Sequence, residues 1–252
     1  YDLLNTQGSV HGATKQDGYV SFDGVDDYIN LGLENYEFTN GVTFSINFSL
    51  NSIDKNSYLL GNWGKAGGGI YILASGVIRA EFFIEGSYQH LEAQTSLELG
   101  EEYQAVFVFE DSRLALYLND ELVEVKNISY ENIKSPVPIT IGANFQASGN
   151  HTAYTNADVK QVQIYNRAIS EEEVAIVSEG KVANSEGLLR YVDFTNKSYE
   201  NNEIIPEEKI ESYFVWIPKY RYQLWDLGEY KDLTEIDENK VHEIPIIFGD
   251  YN

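Results

Sequence analysis

Cysteine and methionine are both absent from this chain of 252 residues, and proline occurs only five times. Without cysteine the chain forms no disulfide, no thiolate zinc site and no cysteine nucleophile. Two compartments stay open: the cytosol, or the outside of a cell that does not rely on disulfides. Because methionine is missing and the sequence starts at Tyr1, we expect a processed or excised fragment.

Basic residues are also few, with 17 lysines and arginines against 40 aspartates and glutamates, so the net charge is −23. Duplex DNA carries about one phosphate charge per 1.7 Å, and we therefore expect no nucleic-acid partner. Apolar runs stay well short of the roughly 18 residues that span a bilayer, so we expect no membrane segment in this fragment. The acidic surplus serves solubility or, alternatively, attracts calcium.

Several segments show the alternation of apolar and polar residues that is typical of β-strands. Residues 42–50 alternate strictly, which predicts a half-buried strand, and residues 103–109 are apolar on both faces, which predicts a covered central strand. Residues 114–118 and 122–125 flank Asn119-Asp120, a pair that tolerates the positive φ of a tight hairpin turn. Many short strands predict an all-β, two-sheet antiparallel jelly-roll sandwich.

One short helix is predicted near residue 170. Ser170 and Glu173 form the pattern of a capping box, and Gly180 is suited to the end of the helix. We expect the jelly roll to cover residues 1–180. Residues 181–252 are expected to form a small β-rich C-terminal module that begins with a short strand at 188–194.

Two motifs at the ends of the jelly-roll segment carry a family resemblance. Residues 22–32 read FDGVDDYINLG, and residues 159–173 read VKQVQIYNRAISEEE. They resemble the first and last strands of a laminin-G-like domain of the concanavalin A-like lectin/glucanase class. The resemblance implies a non-catalytic binding module whose partner is a glycan or a host or cell-surface protein. It also implies a calcium ion.

In this family the ion is commonly held near the FDG turn and by an acidic pair in the closing strand. Asp23, Asp26 and Asp27 match the first part, but Lys160 stands where the acidic pair begins. We expect calcium at Asp23 and Asp26 with Asp158 as a substitute ligand. The alternatives are that the Lys160 ammonium replaces the ion and pairs with Asp23, or that the aspartates are ordinary turn residues.

Carbohydrate binding is expected to use aromatic stacking and amide hydrogen bonds at one sheet face and its rim. Trp63 lies in a glycine-rich loop, GNWGKAGGG, that allows close approach of a ligand. The expected sugar-binding residues are Trp63, Tyr71, Tyr88, Tyr117, Asn119, Asn144 and Phe145. The alternative for each aromatic residue is that it packs in the core or covers the sheet.

Catalytic motifs are missing from the chain. Neither the G-x-S-x-G motif nor histidines at metal-site spacing occur. The E-x-D-x-x-E pattern of glucanases has its nearest counterpart in residues 235–240, where Lys240 replaces the last glutamate. We therefore expect the chain not to be an enzyme.

The C-terminal segment 213–225, YFVWIPKYRYQLW, carries a second resemblance. It is similar to tail segments of Gram-positive surface, pilin-like and prophage-encoded proteins, and this implies an extracellular, cell-surface location. Together the two resemblances lead us to expect an adhesion or carbohydrate-binding module of a bacterial surface protein. The alternative is a structural or assembly domain of a pilus, surface stalk or phage tail, with sister subunits as partners and no small ligand.

Overall fold

The computed structural model describes residues 8–195 except 35, 39–40, 63–66, 85–86, 111–112, 129–132, 136 and 147. Trp63, the segment 213–225 and the string 235–240 lie outside this part of the chain. Within it, two antiparallel β-sheets pack face to face and one short helix lies against the outer face of one sheet. The predicted all-β sandwich is confirmed. No helix in the described ranges is long and apolar enough to cross a membrane.

The elements follow each other with short connections. In chain order they are β1 (Ser9–His11), β2 (Thr14–Lys15), β3 (Val20–Asp23), β4 (Tyr28–Asn30), β5 (Tyr36–Phe38), β6 (Val42–Leu50), β7 (Ser57–Gly61), β8 (Gly68–Ile72), β9 (Val77–Ile84), β10 (Ser87–Ser96), β11 (Glu102–Glu110), β12 (Arg113–Leu118), β13 (Glu121–Asn127), β14 (Ile133–Ser135), β15 (Thr140–Ile141), β16 (Asn144–Phe145), β17 (His151–Thr152), β18 (Asn156–Tyr165), α1 (Glu171–Ser178) and β19 (Leu188–Asp193).

The strand order shows the crossovers of a jelly roll. The seven-stranded sheet runs β1-β4-β15-β7-β8-β9-β10, and the eight-stranded sheet contains β13-β12-β11-β6-β18-β3-β2 with β19 paired to β18. Strands distant in sequence therefore lie side by side, as β6 does between β11 and β18. Two small ribbons, β14-β5 and β16-β17, complete the pairing.

The main core lies between the two sheets. The inward residues of β6 (Phe44, Ile46 and Phe48) are at most 2% exposed, and Phe82 from the facing sheet contacts Phe44 and Phe107. This confirms the strand predicted from the alternation of residues 42–50. The outer face of β6 is partly covered as well, since Thr43 donates to the carbonyl of Arg167, 2.9 Å away.

The helix covers part of the outer face of the eight-stranded sheet. Ser170 accepts from the Glu173 backbone N–H, and the Glu173 carboxylate accepts from the Ser170 N–H at 3.0 Å, so the predicted capping box forms. Val174 and Val177 point to the sheet and pack in a second small core with Tyr117.

The sandwich continues past the expected boundary at residue 180. β19 pairs with β18, with Val192 opposite Val162, and Phe194 after it is completely buried in the main core. The strand predicted at 188–194 is thus part of the eight-stranded sheet. The rest of the predicted C-terminal module lies outside the described residues.

Candidate functional site

An acidic loop connects β3 to β4 at one end of the sandwich. One ligand oxygen from each of Asp23, Asp26 and Asp27 lies within 4.8 Å of the others. The Asp23 Oδ1 accepts from the N–H groups of Val25 and Asp26, at 2.7 and 3.4 Å, and the Asp27 Oδ2 accepts from the Asp23 N–H at 2.9 Å. The carboxylates of Asp23 and Asp27 thus stabilise the FDG turn by accepting hydrogen bonds from its backbone.

The charge of this loop is only partly compensated. Lys55 donates to the backbone carbonyl of Gly24 at 2.7 Å rather than to a carboxylate. Burial raises the pKa of Asp27, and the neighbouring carboxylates of Asp23 and Asp26 raise it further against the lowering effect of its backbone hydrogen bond. Binding of a cation, or of a ligand with several hydrogen-bond donors, would therefore stabilise the carboxylates of this loop.

A column of four aromatic rings lies on the same side of the molecule as the acidic loop. His11 stacks on Tyr28 at 4.3 Å between ring centroids, and Tyr28 stacks on His151 at 3.7 Å. Phe145 meets His151 edge to face at 4.7 Å. His11 is exposed, while the other three rings are half-buried. Tyr28 follows Asp27 directly, and the pKa of Tyr154 is raised by burial and by both Tyr28 and Asp26, so this aromatic column lies next to the acidic loop.

The column holds a polar atom without a partner. The Nε2 of His151 is buried and makes no hydrogen bond within the described part of the chain, whereas the Nε2 of His11 is 2.8 Å from the Ser9 hydroxyl. Burial lowers the pKa of His151, and nearby His11 lowers it further, which favours the neutral ring. A neutral imidazole offers one donor and one acceptor to a ligand.

Four strands build this column. β1 pairs with β4 and places His11 opposite Tyr28, and the β16-β17 ribbon places Phe145 opposite His151. Phe145 is among the residues expected at the site, whereas His11, Tyr28 and His151 are not. No local pattern reveals them because they converge only through strand pairing.

Asp158 and Lys160 do not take the positions expected from the family pattern. Asp158 accepts from the Asn51 amide at 3.1 Å and is not in the carboxylate group of the acidic loop. Lys160 forms its ion pair with Glu102, so the alternative in which it pairs with Asp23 is wrong. The physical reason is register: Asp158 lies opposite Ser21, two positions along β3 from Asp23.

Tyr71 and Tyr88 share the outer face of the seven-stranded sheet, as expected, but Tyr71 is only 6% exposed. It stacks on Tyr58 at 5.0 Å, and both hydroxyls donate to Glu81, at 3.0 and 3.2 Å. Burial raises the pKa of Glu81, against the lowering effect of these two donors. Tyr71 is thus a buried structural residue, which corrects the prediction that a sugar stacks on it.

Tyr88 is half-buried and packs edge to face against Phe83 at 4.9 Å. Burial raises the pKa of Tyr88 to about 12, so its hydroxyl stays a neutral donor at physiological pH. β10, which carries Tyr88, lies at the opposite edge of the sheet from the β1 strand of the aromatic column. Tyr88 and Phe145 therefore belong to separate surfaces.

The other predicted sugar-binding residues are dispersed. Tyr117 is 4% exposed and lies under α1, on the sheet opposite to Tyr71. Asn119 occupies the β12-β13 turn with φ +51°, and its side chain accepts from the Gln104 N–H. Asn144 is 3% exposed. Buried Tyr117 and Asn144 are corrections to the expected site, because the helix and the sandwich cover them. Trp63 stays a prediction outside the described residues.

Two antiparallel sheets joined by crossovers define a jelly-roll β-sandwich. Residues 23–175 match the Laminin_G_3 model, described as the concanavalin A-like lectin/glucanases superfamily. This match spans more than half of the sequence, and the chain belongs to that superfamily. No curated protein sequence matches the chain.

Solved structures share this fold at low sequence identity. The heptameric SAP-like pentraxin from Limulus polyphemus is 14% identical with a TM-score of 0.53, over 69% of this chain and 90% of its own. The binding domain of Paraclostridial Mosquitocidal Protein 1 is 19% identical with a TM-score of 0.56, over 70% and 48%.

The Trypanosoma rangeli sialidase, solved with 2,3-difluorosialic acid, is 17% identical with a TM-score of 0.54, over 68% of this chain and 29% of its own. This chain thus spans most of the pentraxin but less than half of the toxin and sialidase chains. At these identities the likeness concerns the fold. The same fold serves in binding domains and inside an enzyme.

Proposed function

We propose that this chain is a non-catalytic glycan-binding module of a bacterial cell-surface protein, and that it binds through the aromatic column and the acidic loop. The observation that carries the proposal is the contiguous arrangement of four rings beside three clustered carboxylates. Sugars present apolar C–H faces and many hydroxyl donors, and aromatic rings and carboxylates complement both.

The roles divide along this surface. The outer face of His11 is exposed and is available for stacking, while both faces of Tyr28 are covered by its histidine neighbours. The exposed carboxylates of Asp23 and Asp26 accept from sugar hydroxyls. The unpartnered Nε2 of His151 supplies one more hydrogen-bonding group.

Calcium is part of the proposal because the acidic loop offers the ligand chemistry it requires. Calcium takes six to eight oxygens, with carboxylates prominent among them. Asp23, Asp26 and Asp27 would hold the ion, and its positive charge would offset the burial and the neighbouring carboxylates that raise the pKa of Asp27. Asp158, which accepts a hydrogen bond from Asn51, is not included in this revised set of calcium ligands.

The calcium site is tested by calorimetric titration with calcium chloride. Asp26→Asn removes one ligand charge without disturbing the backbone hydrogen bonds of the turn, and we expect it to weaken calcium binding at least tenfold. Asp158→Asn is the matched control that removes the same charge from a neighbouring strand, and it should bind as the wild type does. Equal loss in both variants would support the original ligand set with Asp158.

Glycan binding is tested on a broad glycan array with His11→Ala, Tyr28→Ala and the control His90→Ala. His90 is exposed on β10, at the opposite edge of the sheet from the column. We expect wild-type signal from His90→Ala and loss in the other two. An array without signal for the wild type contradicts the proposal and leaves the assembly domain of a pilus, stalk or phage tail as the better account.

A further inference from the structure

A polar cavity lies on the outer face of the eight-stranded sheet, beside the C-terminal end of α1 and away from the acidic loop. Two adjoining spaces of about 360 and 390 Å³ form it, and they share the lining residues Asn47, Glu102, Ser178 and Glu179. Together they have the size of a small-molecule site.

A row of amide side chains forms the floor of the cavity. Gln104, Asn47 and Gln161 lie opposite each other on the adjacent strands β11, β6 and β18. Directly opposed side chains on one sheet face are about 5 Å apart. Gln104 donates to the Ser45 hydroxyl at 2.6 Å, and Gln161 donates to the Gly180 carbonyl at 2.8 Å. The amide N–H groups are thus used within the protein, below and beside the cavity.

Three polar atoms at the cavity are buried and have no hydrogen-bond partner among the residues that the structure describes. They are the Oδ1 of Asn47, the Oε1 of Gln104 and the Oγ of Ser178, and all three residues line the first of the two spaces. Gln104 is only 4% exposed. Since buried polar groups in native proteins are nearly always paired, these oxygens indicate a ligand that brings hydrogen-bond donors.

The charge around the cavity is negative. Four carboxylates, from Glu102, Asp120, Glu179 and Asp193, line the two spaces. Lys160 pairs with Glu102 and Lys181 with Glu179, so two cations stand against four carboxylates. The hydrogen bond from Lys160 lowers the pKa of Glu102 against the effect of burial and keeps the carboxylate ionised. The C-terminal end of α1 adds the negative end of a helix dipole.

A metal ion does not fit this arrangement. In the described ranges, the only three-carboxylate group compact enough to hold a metal is the acidic loop, and the cavity carboxylates are not in it. A primary ammonium, in contrast, carries three hydrogen-bond donors and a compact positive charge. Because it has no acceptor atom, it does not place a second acceptor against these oxygens.

We infer that this cavity binds a protonated primary amine, with the Asn47 and Gln104 amide oxygens accepting its hydrogen bonds and the surrounding carboxylates balancing its charge. The amine comes either from a free polyamine or from a lysine side chain of a partner protein. This site is independent of the glycan surface, which lies beside β1 and β4.

The experiment is calorimetric titration of the full chain with three probes. Cadaverine carries two ammonium groups, 1,5-pentanediol has the same carbon chain with hydroxyls, and N-α-acetyl-lysine methylamide represents a partner's lysine. We expect binding of cadaverine or of the lysine probe, and the tighter of the two identifies the source. We expect no measurable binding of the diol.

Two variants and one control assign the binding to the cavity. Gln104→Leu removes a buried acceptor and should weaken amine binding at least roughly tenfold, the effect of one hydrogen bond to a charged group. Asp120→Asn removes an exposed charge at the mouth without touching the packing, and it should weaken binding several-fold. Gln16→Leu changes an exposed amide elsewhere and should have no effect.

Four results would overturn the inference. Diol binding as tight as cadaverine binding would indicate a hydroxyl ligand. Binding of neither amine would mean that water alone satisfies the buried oxygens. Displacement of the amine by calcium would place the amine at the acidic loop. Wild-type amine affinity in both folded single variants, Asp120→Asn and Gln104→Leu, would place it at some other site. If Gln104→Leu does not fold, Asp120→Asn decides the question.

Discussion

Glu81→Ala removes the acceptor of two tyrosine hydroxyls on the outer face of the seven-stranded sheet. The hydroxyls of Tyr58 and Tyr71 lie 3.2 and 3.0 Å from the Glu81 carboxylate, and all three residues are at most 6% exposed. A hydrogen bond to a charged group contributes roughly 1.5–3 kcal/mol, so the two set an upper limit of roughly 6 kcal/mol. Because burying the carboxylate costs part of this gain, we expect a loss of about 3 kcal/mol.

Glu81→Gln keeps the shape of the side chain and one acceptor oxygen, and a tyrosine hydroxyl can accept from the new amide. We expect this change to cost less than about 1 kcal/mol near pH 7. In the wild type, burial raises the pKa of Glu81, so the folded state binds this proton more tightly than the unfolded state. The wild-type free energy of unfolding therefore falls as pH rises through this pKa, and Glu81→Gln lacks that contribution.

Urea unfolding followed by circular dichroism between pH 4 and pH 8 measures both effects. Glu98→Gln, at an exposed position outside the strands, is the control and should follow the wild type. We expect the stability of Glu81→Gln relative to wild type to improve as pH rises. A difference that stays constant with pH, or a Glu81→Ala cost below about 1 kcal/mol, would refute the reasoning, because such a small cost is typical of a surface position.

Three further predictions use the same unfolding assay. Gly142 and Gly149 both have φ +85°, but a Cβ at Gly142 would lie 2.4 Å from the Phe22 ring while Gly149 has open space. Gly142→Ala should therefore cost at least about 1 kcal/mol more than Gly149→Ala, and equal costs would contradict the packing argument. Ser170→Ala should cost about 1 kcal/mol by removing the helix cap, and a cost near zero would contradict the role of the capping box. Because burial raises the pKa of Asp27, Asp27→Asn should gain stability relative to wild type as pH rises, and a loss would reverse the assigned sign.

Local patterns predicted the elements that local forces determine. The alternation of residues 42–50 predicted β6 with the bounds observed in the structure, and the Asn119-Asp120 turn has positive φ at both residues. Ser170 and Glu173 form the capping box that their spacing indicated. In each case the hydrogen bonds or the alternating faces involve residues close in sequence.

The arrangement of the candidate site depends on pairing between distant strands, which no local pattern encodes. His11 reaches Tyr28 only because β1 pairs with β4 in one particular register. Likewise, Tyr71 was expected to bind a sugar on a sheet face, but no local pattern indicates that Tyr58 and Glu81 bury it there. Tyr117 was misassigned for a related reason, since α1 covers the face on which it lies.

Glycan titration of histidine-labelled protein, followed by NMR, tests the proposed binding surface most directly. The chain has four histidines, and two of them, His11 and His151, belong to the aromatic column. With the glycan that gives the strongest array signal, we predict saturable shifts of the His11 and His151 imidazole resonances and none of His90. Shifts confined to His90, or no shift of the column histidines at saturation, would contradict binding at this surface.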